Sequence, residues 1–70
     1  MKISDTKELG RFIKAERKNQ GLTQADLAAA VNAGIRFISE LENGKRTSQT
    51  GKVFDVCNAL GIKIELAAGV

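Results

Sequence analysis

Histidine and proline are absent from the 70 residues, and cysteine occurs once, at Cys57. One thiol cannot form a disulfide within the chain, and without histidine a Cys/His zinc site has no ligand set. The same shortage leaves no nucleophile and base pair, and no glycine-rich phosphate loop is present. The carboxylates of Asp26, Asp55 and Glu65 fall on separate predicted elements, where solvation explains them. No enzyme activity and no cofactor are therefore expected. Apolar runs fall far short of the ~20 residues a membrane-spanning helix needs, and no signal-peptide pattern is visible. The expectation is a cytoplasmic protein without membrane contact, with Cys57 a buried thiol in an apolar helical pattern.

With 43% hydrophobic residues, the chain makes one small domain. A domain of this size buries only about 60% of its unfolded surface, so its stability alone is modest and a partner chain would help. Eleven basic and eight acidic residues give a net charge of +3, a mild excess that hints at an anionic partner. Placement says more than the total. Lys45, Arg46 and Lys52 bracket Thr47, Ser48, Gln49 and Thr50, all residue types that contact phosphates. A solvated polar loop is the alternative.

The most informative stretch is LTQADLAAAVNAGIRFISELENG, residues 22–44. Thr23 is placed to cap a helix, with Asp26 three residues on and Leu22 and Leu27 forming a hydrophobic staple. Alanines then favour helix, and Leu27, Ala28 and Val31 supply its apolar stripe. Asn32 tolerates the left-handed conformation needed to leave that helix. A second helix is predicted from about Ile35 to Asn43, between Gly34 and Gly44. At 100° per residue, Ile38, Leu41 and Gly34 share one side, while Arg36, Ser39, Glu40 and Asn43 fall opposite. Ile35 and Phe37 take the flanks. The spacing is that of a helix-turn-helix whose outer face can read base edges.

Before this stretch, Asp5 and Glu8 predict a capped helix running to about Asn19 and closed by Gly21. Leu9, Phe12 and Ile13 form its apolar face. Gly10 costs this helix roughly 1 kcal/mol relative to Ala, and close approach of another backbone is one reason to keep it. Four residues beyond Ile13, Arg17 sits on an inward line, as Glu42 does four residues beyond Ile38. An Arg17–Glu42 ion pair is predicted, structural in role.

After the loop, Val53, Phe54, Val56, Cys57 and Leu60 predict a further helix that starts between Ser48 and Thr50 and ends at Gly61. The period then changes. Ile62, Ile64 and Leu66 alternate with Lys63 and Glu65, a half-buried strand pattern. A lone strand in a helical chain invites pairing with a second copy, antiparallel about Ile64, with Lys63 facing the second copy's Glu65. A frayed extension held only by Ile62 is the alternative. The division expected is residues 1–61 as the DNA-binding domain and 62–70 as dimerisation strand and tail.

The segments LTQADLAAAV, ISELENGKRT and ALGI, in this order and spacing, resemble the lambda-repressor-like, Cro/C1-type helix-turn-helix family. Within it, FISELENGK followed by VFDVCNALGIKIEL looks like the HipB-type antitoxins. The resemblance implies an all-α bundle of four or five helices that binds an inverted-repeat operator in double-stranded DNA as a homodimer. The narrower likeness implies a C-terminal strand paired across the dimer and a HipA-like kinase toxin as partner. Position by position, Ile35, Arg36, Ser39 and Glu40 match base-facing positions of the recognition helix. Gln24, Asn43, Lys45 and Arg46 match backbone-contacting positions, and Arg17 with Glu42 matches a structural ion pair of some members. Asn32 stands where glycine is usual, Gly34 where Ser or Thr is common, and no proline follows Thr47.

Within that expectation Arg36 is the strongest candidate for direct readout, since a guanidinium can bond O6 and N7 of guanine together. Glu40 could accept from cytosine N4 or pair with Arg36 one turn away. Ile35 or Phe37 could touch a thymine methyl, unless Phe37 packs on the bundle. The function expected is an operator-binding repressor that is also the antitoxin of a toxin–antitoxin pair and controls its own promoter. A stand-alone repressor of the same fold is the first alternative, and an interaction module without DNA the second.

Overall fold

The computed structural model describes residues 5–64. It holds four helices: α1 (Thr6–Asn19), α2 (Gln24–Ala30), α3 (Ile35–Glu42) and α4 (Thr50–Ala59). Local chemistry sets where the first two begin. Asp5 accepts the Glu8 amide at 2.8 Å and caps α1. At α2 the capping box is complete: Thr23 Oγ1 accepts the Asp26 amide at 3.0 Å, and Asp26 Oδ2 accepts the Thr23 amide at 2.9 Å. Those bonds hold the exposed Asp26 carboxyl below its ordinary pKa.

All four helices end by the same device. The amide one residue past the C-cap bonds a carbonyl three back, and the next amide bonds one five back. Gly21 and Leu22 close α1 on Lys18 and Arg17, while Asn32 and Ala33 close α2 on Ala29 and Ala28. Gly44 and Lys45 close α3 on Leu41 and Glu40, and Gly61 and Ile62 close α4 on Asn58 and Cys57. The first residue of each pair must turn left-handed, and Asn32 does so at φ 54°. Gly21, Asn32, Gly44 and Gly61 thus stand at the stops expected of them.

Ile13, Leu27, Ile38, Val56 and Cys57 are fully buried at the centre, each aliphatic side chain contributing about 1.5–3 kcal/mol. Leu9, Leu22, Phe37, Val53 and Ile62 pack around them. Gly10 has the role anticipated for it. A Cβ there would lie 2.5 Å from the Leu41 carbonyl oxygen and 2.6 Å from that of Glu42, so α1 and α3 touch backbone to backbone. Among the described residues, no helix is long and apolar enough to cross a membrane.

Three expectations need correction. Phe54 is 44% exposed, because it lies off the stripe that Val53, Val56, Cys57 and Leu60 turn inward. Gly34 is exposed, serving as the N-cap of α3 instead of facing the core with Ile38. The strand predicted over Ile62, Lys63, Ile64, Glu65 and Leu66 has no counterpart among the described residues. Its first amide is spent on the Cys57 carbonyl at 2.8 Å, closing α4, and Lys63 and Ile64 follow without regular structure. A strand also needs a ladder partner, and one chain supplies none. Glu65 and Leu66 lie outside the described residues.

Candidate nucleic-acid interface

The candidate interface is α3, whose two sides differ sharply. Ile38, Leu41 and Glu42 are buried, whereas the Arg36 side chain is 88% exposed and Ile35 is 53% exposed. Ser39 and Glu40 are half-buried and Asn43 is exposed. Phe37 packs against the core, so of the two flanking apolar residues only Ile35 is presented outward.

Glu40 organises the cations of this face. Its Oε2 accepts from Lys45 Nζ at 2.9 Å and lies 3.5 Å from Arg36 Nε. Lys45 is held to Glu40 twice, since its amide also bonds the Glu40 carbonyl at 3.0 Å in the turn that ends α3. The Lys45 hydrogen bond, opposed by partial burial and aided by the charges of Lys45 and Arg36, keeps Glu40 below its ordinary pKa. It is ionised at neutral pH. Arg46 and Gln49 continue the surface, lining a groove of about 260 Å³ with Phe37, Glu40 and Lys45.

Behind this face, Arg17 and Glu42 form the predicted pair, with Nε to Oε2 at 2.6 Å and Nη2 to Oε1 at 3.0 Å. Both side chains are buried. Arg17 Nη1 also donates to the Leu22 carbonyl at 2.8 Å, so a single guanidinium joins α1, α3 and the residue before the α2 cap. Gln24 belongs to the same network: its Nε2 donates to Glu42 Oε1 at 3.1 Å. That bond uses one of the amide's two N–H groups. Burial works to raise the Glu42 pKa, but hydrogen bonds from Arg17 and Gln24 and the charges of Arg17 and Lys14 outweigh it, and the net shift is downward. No buried side-chain nitrogen or oxygen lacks a partner among the described residues.

The fold thus gathers Ile35, Arg36, Ser39, Glu40 and Asn43 along α3, with Lys45 folded back on Glu40 and Arg46 beside it. Gln24 comes from another helix and is tied to α3 through Glu42. Lys52 does not join them. Its Nζ bonds the carbonyls of Val31 at 2.7 Å and Asn32 at 3.1 Å, so it fastens the turn of the helix-turn-helix to the start of α4. Gln20 is a second cross-tie, bonding the Leu60 carbonyl at 2.8 Å where α4 ends. Periodicity flags neither residue, because both partners are main-chain oxygens. Away from this face, Phe54 and Ile64, each 44% exposed, border a groove of about 370 Å³ with Asn58, Ile62 and Lys63.

Residues 13–66 match the helix-turn-helix family model HTH_3. The uncharacterized HTH-type transcriptional regulator y4mF of Sinorhizobium fredii is 40% identical over 67 residues, covering 96% of this chain and 88% of that protein. Two solved structures share the fold along nearly the whole chain. One is a HipA–HipB–O2–O3 complex, with TM-score 0.86 and 25% identity over 97% of this chain and 96% of the matched one. The other is a HipB–O4 20mer complex, with TM-score 0.84 and 27% identity over 100% of this chain and 99% of the other. With a family match running from the middle of α1 past α4, and a relative this similar over almost its full length, the chain belongs to the helix-turn-helix family of DNA-binding transcriptional regulators.

Proposed function

We propose that this chain is a sequence-specific repressor that lays α3 in the major groove of an inverted-repeat operator, and that it is the HipB-like antitoxin of a type II toxin–antitoxin pair. The observation that carries the DNA reading is the division of α3: a sealed inner side, and an outer side where Arg36 reaches into solvent beside Ser39 and Glu40. Ile35, Arg36, Ser39 and Glu40 contact bases. Gln24, Asn43, Lys45 and Arg46 contact phosphates, and Gln24 keeps one amide hydrogen for that purpose beyond its bond to Glu42. Residues 1–61 act as the DNA-binding domain.

Two copies of a short domain bind an inverted repeat together, with recognition helices about 34 Å apart. The apolar groove at Phe54, Ile62 and Ile64 is where a second copy would bury exposed surface, with residues 62–70 as the dimerisation segment. The antitoxin role rests on likeness to HipB chains solved in complex, one of them with HipA, a kinase toxin in the family reading. A stand-alone repressor of the same fold is the second reading, and likeness to the HTH-type transcriptional regulator y4mF is compatible with both.

Arg36→Ala is expected to compress the preference for operator over random DNA by about 1–3 kcal/mol, the worth of one bidentate base contact. Lys45→Ala is expected to weaken both DNAs alike and to make the salt dependence shallower. Titrating each variant against operator and scrambled duplex checks both. Equal losses on both duplexes for Arg36→Ala would remove it as a base reader. Affinity capture from a nuclease-treated lysate of the native host separates the two readings: a stoichiometric HipA-like kinase supports the antitoxin, and capture of the chain alone, with its neighbouring genes expressed, supports the stand-alone repressor.

A further inference from the structure

Lys7, Arg11, Lys14 and Lys18 follow one another along α1 at spacings of four, three and four residues, which places them within an arc of about 60°. All four are exposed, and none of their side chains makes a hydrogen bond or ion pair among the described residues. The acids of the same helix, Glu8 and Glu16, fall outside this arc. Such an arrangement works against the helix that carries it. Like charges four residues apart repel, and Lys7 lies in the first turn, at the positive end of the helix dipole. A polyanion laid along the face would turn that repulsion into binding.

The stripe also borders the interface on α3. At one end the Lys7 Cα lies 2.8 Å from where a Cβ on Gly44 would sit, beside Lys45 and Arg46. Midway, the charge of Lys14 acts on Glu42, which holds Gln24. At the far end, Arg17 ties α1 to Leu22 at the approach to α2. From Lys7 to Lys18 the stripe spans about 16 Å, whereas each DNA strand carries a phosphate about every 3.4 Å along the axis.

We propose that the α1 stripe is a second phosphate track, gripping the DNA backbone beyond the bases that α3 reads. This inference rests on the DNA-binding reading above and adds to it an electrostatic grip independent of sequence. Continuity with Lys45 and Arg46 favours DNA over an acidic protein as the occupant.

Substituting all four cations by glutamine keeps good helix formers at exposed positions, so circular dichroism should stay that of the wild type. The slope of log affinity against log salt on operator duplex is then expected to fall by about 2, at roughly 0.9 for each phosphate no longer neutralised. On raising salt from about 50 to 200 mM, the wild type should lose about 16-fold more affinity than this variant. Preference for operator over scrambled DNA should not change. Arginine at all four positions should restore the slope. A slope that falls by less than about 0.9, the value of a single phosphate, overturns the proposal and leaves the stripe to an acidic protein. The wild type reports separately on the underlying reading, because failure of the unaltered chain to bind DNA with steep salt dependence would remove that reading itself.

Discussion

Glu42→Ala is expected to lower folding stability by about 3–5 kcal/mol, because it strips a buried guanidinium of its counter-charge. Arg17 would keep only the Leu22 carbonyl, and Gln24 would lose its acceptor. A core of this size rarely supplies more than about 3–5 kcal/mol in all, so the variant should be largely unfolded in water. Urea denaturation followed by circular dichroism checks this. A loss below about 1 kcal/mol would mean the pair behaves as an exposed one. Replacing both partners, as in Arg17→Met with Glu42→Leu, should recover most of the loss, since a matched apolar pair leaves no charge to solvate.

The same pair sets an acid limit. Glu42 is held below its ordinary value of 4.5 in the folded chain, so the unfolded chain binds the proton first as pH falls. Its contribution is therefore complete above about pH 5 and is lost as acid titrates through the depressed folded value. Asp26, lowered by its bonds to Thr23, adds in the same direction. Urea midpoints measured from neutral pH into acid should stay level, then decline.

Gly10→Ala is the second large effect, and its sign opposes helix propensity. Alanine inside a free helix gains about 1 kcal/mol over glycine. At this position the added methyl would meet the Leu41 and Glu42 carbonyl oxygens at 2.5 and 2.6 Å, and main-chain atoms cannot rotate aside as a side chain can. α1 must retreat from α3, loosening the packing around Ile13 and Ile38 and stretching the Arg17–Glu42 bonds. The expected net loss is about 1–3 kcal/mol, typical of overpacking. Gly51→Ala is the matched control: nothing lies within 4 Å of its added methyl, so it should gain up to about 1 kcal/mol. Melting both variants beside the wild type should give shifts of opposite sign. Two shifts of the same sign would contradict the close approach of the two backbones.

What could be read from the sequence was what depends on neighbours along the chain. Thr23 with Asp26, the left-handed Asn32 and the stop at Gly44 involve partners within five residues, so spacing alone identifies them. The Arg17–Glu42 pair spans 25 positions and was still legible, because each charge interrupts an inward stripe and needs an opposite partner. Lys52 and Gln20 were not legible. Each looks like an ordinary polar surface residue until folding brings carbonyls of another segment to its tip. Phe54 was misread for a related reason: hydrophobicity gives its preference, whereas burial depends on whether another element covers that side of α4. At the interface, sequence placed Arg36 on the outer face but could not say that Glu40 would be taken by Lys45 as well as Arg36.

The division of α3 into an inner and an outer side also bears on how such a protein can change. Ile35, Arg36 and Ser39 lie outside the packed core, so if they read bases as proposed, a duplicated copy could acquire a new operator through substitutions there without passing through an unfolded ancestor. Grafting those three side chains from a relative should transplant target preference at little expense in stability. Positions 17 and 42 offer no such freedom, because either change alone strands a charge, and drift there must be concerted. Glu40 stands between the two regimes: a graft that alters it must also provide for Lys45.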